Sequence, residues 1–288
     1  MSKFCHLHSA EPVFLHTMYR ILCKITIGSL LFTYSCNDQH AGSATETNKE
    51  KVTDSREKEL RDDIAKYPDS AVLKENLFQY YRDNDNYDMA IGEVNKALQK
   101  DSNNARLWDI KATLYYENED TLESIKSFEK AVNISPRPEY VISLATFYAL
   151  TRNPKALDYS GVLQLADKAR AKQQALFIKG LYYSSCGDKK RSIPFFDAAL
   201  AENYTFMEAY LEKGKALTDL GNYPEAINTF TKAVTVQNNF EEGYYRRGYC
   251  YEKMNKKEEA IADYRTTLTY MPEFVEAEEG LKRLGVAQ

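Results

Sequence analysis

The chain has 288 residues, 28% of them charged, with a formal net charge of −4, so no basic excess points to nucleic acid. Only 12 glycines and 8 prolines punctuate it, which argues against a β-rich or disordered chain, whereas 22 tyrosines stand against a single tryptophan. Long stretches of Ala, Glu, Lys and Leu with few breakers predict an all-α body.

The first segment differs from the rest. Residues 21–36 read ILCKITIGSLLFTYSC, and the apolar run from Ile25 to Phe32 follows Arg20 and Lys24. A basic stretch before so short an apolar run is a targeting leader, too short to span a bilayer. With Ser35 before Cys36, it resembles a bacterial lipoprotein signal of the Bacteroidetes kind. The resemblance implies that Cys36 is lipidated, as a palmitate-bearing N-terminus, and that the protein sits in the cell envelope, at the outer membrane. Met18 opens a signal of ordinary length, so the preceding residues read as a misassigned start. Removal of residues 1–35 leaves 35 basic against 41 acidic residues, and so acidic a body gains nothing from anionic lipid by electrostatics.

Residues 36–50 contain NDQHAGSATETNKE, small and polar without periodicity, and are expected to be a flexible tether. Residues 51–70 follow as a charged N-terminal capping helix. From Ala71 the chain then repeats with a period of 34 residues: 71–104, 105–138, 139–172, 173–206, 207–240 and 241–274, which we number repeats one to six. Position 8 of successive repeats is Phe78, Ala112, Thr146, Gly180, Gly214 and Gly248. Position 24 is Val94, Phe128, Val162, Phe196, Phe230 and Tyr264, and position 20 is Ala90, Ser124, Asp158, Ser192, Ala226 and Ala260. Aromatics recur at position 11 as Tyr81, Tyr115, Tyr183 and Tyr251. Residues 275–288 read as a C-terminal capping helix.

Positions 4, 7, 8 and 11 make one stripe of a first helix (A), and positions 20, 24 and 27 the facing stripe of a second (B). Small residues at 8 and 20 let the backbones approach while the rings fill the space beside them. This pattern resembles the tetratricopeptide repeat (TPR) family over residues 71–274. The resemblance implies an all-α solenoid of antiparallel helix pairs that winds into a right-handed superhelix, each hairpin burying its apolar face on the next. In repeat three Asp158 and Leu165 break the stripe; moving helix B by four residues brings Val162, Ala166 and Ala169 into place and makes 151–161 a longer turn. Pro194 implies a late start for helix B of repeat four, with Ser192 as its cap.

The four histidines, His6, His8, His16 and His40, all precede the helical body, and no phosphate loop or nucleophile motif is present. The metal-like spacing Cys5-His6-Leu7-His8 lies upstream of Cys36. An enzyme is disfavoured, and no cofactor, metal, nucleic acid or small-molecule substrate is expected. Cys186 and Cys250, two repeats apart, read as buried small residues rather than as a disulfide. Asp69-Ser70-Ala71 and Asp120-Thr121-Leu122 resemble O-glycosylation tripeptides of Bacteroidetes.

In TPR proteins, helix A positions 2, 5, 9 and 12 line the concave surface that takes a peptide or helix of a partner protein. The resemblance therefore assigns Tyr116, Tyr140, Phe147, Phe177, Leu181, Leu211, Tyr245 and Tyr249 to a partner-binding groove, with Phe147 and Phe177 as its floor. No repeat carries the Lys-Asn pair with which chaperone-binding TPRs grip a C-terminal carboxylate. The function implied is a non-catalytic, lipid-anchored interaction scaffold; the alternative is an adaptor subunit of an envelope machine, for outer-membrane assembly, secretion or cell-wall enzymes.

Overall fold

The computed structural model describes residues 43–165 and 169–286. All regular structure among them is helical: α1 (Ser43–Lys66), α2 (Ala71–Asp83), α3 (Tyr87–Lys100), α4 (Ala105–Glu117), α5 (Thr121–Ile134), α6 (Pro138–Leu150), α7 (Lys155–Leu165), α8 (Ala169–Ser185), α9 (Lys189–Glu202), α10 (Met207–Asp219), α11 (Tyr223–Val236), α12 (Glu241–Lys253), α13 (Lys257–Tyr270) and α14 (Val275–Arg283). The even-numbered helices from α2 to α12 are the A helices of repeats one to six, and the odd-numbered ones from α3 to α13 the B helices. The helices gather into two compact units that divide between Tyr140 and Val141. The leader, Cys36 and the four histidines lie outside the described residues.

Each hairpin turns in the same way. The N–H at position 16 donates to the carbonyl at position 11: Asn86 to Tyr81 (2.8 Å), Asp120 to Tyr115 (2.8 Å), Asp188 to Tyr183 (2.9 Å), Asn222 to Leu217 (2.9 Å) and Lys256 to Tyr251 (2.9 Å). The residue between is left-handed in every case: Asp85, Glu119, Gly187, Gly221 and Asn255 all have φ between 55° and 87°. Helix A ends on a left-handed residue whose neighbours satisfy its last carbonyls. Helix B then starts on a side-chain cap in three repeats: Asn86 accepts from Met89 N–H, Asp120 from Glu123 and Asp188 from Arg191.

Between the helices, position 8 meets position 24. A methyl placed on Gly180 would lie 2.6 Å from the Phe196 ring, and one on Gly214 would overlap Phe230. Gly248 faces Tyr264 and Asp263 in the same way, at 3.1 Å. Repeat one reverses the sizes: Phe78 stands at position 8 and Val94 at position 24, both buried in one core with Leu60, Leu77, Tyr81 and Ile91. The volume is conserved while its source changes sides.

Four details depart from the sequence reading. Helix α1 begins at Ser43, so residues 43–50 of the expected tether are helical. No Gly or Pro interrupts 43–67, and Pro68 follows the last turn. At the other end α14 stops at Arg283, because Gly285 turns left-handed (φ 73°) and Val286 N–H bonds back to Leu281 (3.0 Å). Pro194 lies inside α9, which starts at Lys189 on its Asp188 cap; Ser192 is buried within the helix, and its hydroxyl bonds to the Lys189 carbonyl (2.8 Å). The helix tolerates the proline at the cost of one backbone hydrogen bond.

Repeat three is the fourth departure. Its turn bond runs from Asn153 to Tyr148 (2.8 Å), and Arg152 is the left-handed residue (φ 59°), so the turn comes one residue early. Tyr148 therefore fills position 11 and Ala145 position 8. Helix α7 opens on a tight turn, Ala156 N–H to Asn153 and Leu157 N–H to Pro154, which removes one further residue. The buried stripe is Ala156, Ser160 and Leu163. Val162, expected inside, is 58% exposed, and Leu165 is 88% exposed. The helix moves two residues against the expected direction, and no longer turn exists at 151–161.

Candidate partner-binding surface

The structure separates the eight groove candidates into two sets. Tyr140, Phe147, Phe177, Leu181 and Leu211 are buried. Tyr116, Tyr245 and Tyr249 are half-buried. Physical causes are visible for Phe147 and Phe177. In repeat three the early turn moves Phe147 to position 10, where Leu114, Ala216 and Cys250 are buried and Tyr80 and Tyr182 half-buried. In the C-terminal unit, position 5 is covered by a phenylalanine that enters the following A helix. The Phe177 ring lies 4.9 Å from Phe206 and 5.8 Å from Phe196, and Tyr245 lies 5.0 Å from Phe274. Phe206, Phe240 and Phe274 recur every 34 residues at the N-caps of α10, α12 and α14. That recurrence was a readable signal. The proposed floor of Phe147 and Phe177 is core, and truncating either would loosen the fold rather than a binding face.

In the N-terminal unit, Tyr116 on α4 stays half-buried, and burial raises its phenol pKa. Nearby A-helix charges are paired: Arg82 with Glu117, and Arg106 with Glu75 in a two-bonded fork at 3.0 and 3.1 Å.

In the C-terminal unit, α10, α12 and α14 lie side by side. Thr218 of α10 touches Cys250 of α12 at 3.3 Å, and Arg283 of α14 makes two bonds of 3.0 Å to Glu252 of α12. Tyr245 sits among these helices, its phenol pushed up to about 12, chiefly by burial, with Arg246, Glu242, Glu276 and Arg283 as the surrounding charges. Arg246 pairs with Glu242 (2.7 Å) and its guanidinium lies over the Tyr245 ring at 5.3 Å. One turn on, Lys253 approaches the Tyr249 ring at 5.1 Å. Lys215 of α10 is tied to Glu212 (2.8 Å). Among the described residues, Glu276 and Glu279 on α14 are in no ion pair. The result is a face of half-buried tyrosine rings set between fixed ion pairs, with two carboxylates left over.

Among the described residues no group of three or more His, Cys, Asp or Glu is placed to hold a metal ion, and no helix is long and apolar enough to cross a membrane. Cys250 is buried, which raises its thiol pKa, whereas Cys186, read as a buried small residue, is exposed just past the end of α8. Ser70 caps α2 by accepting from Leu73 N–H (3.4 Å), and Thr121 is the first residue of α5.

Tetratricopeptide-repeat models match residues 105–138 and 241–274, the bounds of repeats two and six, and a TPR-repeat model matches 214–255. No curated protein matches the chain. Among solved structures, a tetratricopeptide repeat protein from Parabacteroides merdae is similar with a TM-score of 0.62 at 18% identity, covering 83% of this chain and 95% of that one. PilW, a type IV pilus biogenesis factor, is similar at 0.59 and 18% identity, covering 74% and 99%. A chain of the APC/C hetero-tetramer Cut9-Hcn1 is similar at 0.56 and 17% identity, covering 79% and 46%. The fold is an all-α TPR fold.

Proposed function

We propose that this protein is a non-catalytic scaffold that holds an extended segment of another protein against the A-helix face of α10, α12 and α14, and that it does so from the cell envelope through a lipid on Cys36. The observation that supports the binding face is the pair Tyr245 and Tyr249. Both keep ring surface open on helices already fixed by Arg283–Glu252 and Arg246–Glu242, so a bound chain meets prepared side chains and orders little. The rings already draw cations from their own helix, and Glu276 and Glu279 are unpaired, which favours a segment carrying Lys or Arg.

The test is fluorescence anisotropy with a labelled Lys/Arg-bearing peptide and its Glu-substituted counterpart, beside a pull-down from envelope extract. Tyr249→Ala is expected to weaken binding by about 2 kcal/mol, roughly thirtyfold, with unchanged circular dichroism. Glu276→Gln with Glu279→Gln is expected to flatten the salt dependence. Equal binding by wild type and Tyr249→Ala would place the interaction elsewhere.

The anchor has its own test. It rests on the leader ending in Ser35-Cys36. Cys36→Ala is expected to abolish palmitate labelling and release the protein from the membrane fraction. Labelling that survives the substitution rules the lipid out.

A further inference from the structure

Helix α7 is built differently from every other B helix among the described residues. At the central buried position, where the others place Val94, Phe128, Phe196, Phe230 and Tyr264, α7 places Ser160. The facing position 8 is the small Ala145, so this hairpin alone pairs small with small. The Ser160 hydroxyl bonds only within its own helix, to the Leu157 carbonyl (2.8 Å). Gly161 follows, and a methyl there would meet nothing within 4 Å, so neither packing nor close approach requires a glycine. The larger apolar side chains, Val162 and Leu165, point to solvent. Its buried apolar side chains are Ala156 and Leu163, and the other ties to its neighbours are polar or peripheral: Lys155 to the Tyr148 hydroxyl (3.4 Å), Tyr159 stacked on Tyr148 (5.8 Å between ring centres), and Lys179 to Gln164 (2.9 Å).

Buried apolar contact decides which helices open together and which open alone. A helix with a serine in place of the central ring, a glycine in its middle, and Val162 and Leu165 outside has less of it than the other B helices, and it carries an intrinsic penalty from that glycine. We propose that α7 is a conformational switch element. It leaves and rejoins the C-terminal unit by local unfolding while α9 and α11 stay folded, which gives the scaffold a second state that a partner can select or suppress.

Hydrogen exchange of the full chain, followed by mass spectrometry on peptides within 155–165, 189–202 and 223–236, tests this. Amides of α7 are expected to exchange at least about tenfold faster than those of α9 and α11. Gly161→Ala adds only a solvent-facing methyl and removes the glycine penalty, so it is expected to slow α7 about fivefold and leave α9 and α11 unchanged. Gly92→Ala, a solvent-facing mid-helix glycine of α3 in the N-terminal unit, serves as control and should leave α7 unchanged. The proposal fails if α7 is as protected as α11, if Gly161→Ala slows all three helices together, as global unfolding requires, or if it leaves α7 exchange unaltered.

Discussion

Replacing Gly214 with leucine is expected to destabilise the C-terminal unit by about 1–3 kcal/mol, at the upper end of that range. The first added carbon already overlaps the Phe230 ring, and Phe230 is fully buried with no room to retreat. The loss should fall chiefly on repeats four to six, because solenoid repeats couple to their neighbours. Thr218→Ala, one turn along α10, is the control. It removes the hydroxyl's bond to the Gly214 carbonyl (2.8 Å) and its contact with Cys250, worth about 1 kcal/mol or less. Urea denaturation of both variants measures the difference, and equal midpoints would contradict the helix register. Repeat one suggests the rescue, since there the large residue is at position 8 and the small one at 24. Gly214→Leu combined with Phe230→Val should therefore recover part of the loss, with a coupling of about 0.5–3 kcal/mol.

How far the fold could be read in the sequence follows from which signals are periodic. The small residue at position 8 and the ring at position 24 recur in register in repeats two, four, five and six, and repeat one is in phase through Ala90 at position 20 and Tyr81 at position 11, so these five hairpins were legible. Repeat three was not, because a fixed period of 34 assumes equal turns. The local text SLATFYAL (143–150) holds a small residue and an aromatic three apart, Ala145 and Tyr148, and would have placed the turn one residue early. The tight first turn of α7 has no comparable signature. Among the site candidates, position alone could not separate a ring that faces a partner from a ring that faces the next repeat. Phe206, Phe240 and Phe274 carried that information, but they sit outside the helix stripes, at the junctions. Tyr245 and Tyr249 remain half-exposed, and Tyr245 does so beneath Phe274. The start of α1 at Ser43 runs against the polar composition of 43–50 and follows instead from the absence of breakers between Ser43 and Tyr67.

Removing one partner of the Arg82–Glu117 pair should be the most damaging single change in the N-terminal unit. Arg82 on α2 grips Glu117 on α4 with two bonds, Nε to Oε2 at 2.6 Å and a second to Oε1, and the two side chains are only 11% and 2% exposed. Arg82→Met leaves the Glu117 carboxylate buried without its counter-charge, which costs about 3–5 kcal/mol. The reason is the desolvation already spent on the charge, not the strength of the pair itself. Arg82→Met with Glu117→Leu removes both charges and should return most of the stability, since apolar replacements of a buried pair are often neutral or better. The same two helices supply an internal comparison. Arg106 and Glu75 form an equally forked pair, but at 52% and 34% exposure water already solvates both groups. Arg106→Met should cost less than about 1 kcal/mol. Urea titrations of the three variants and wild type complete the test. An Arg82→Met protein no less stable than Arg106→Met would mean that Glu117 finds water or another donor once the arginine is gone, and that burial at this seam is shallower than the packing implies.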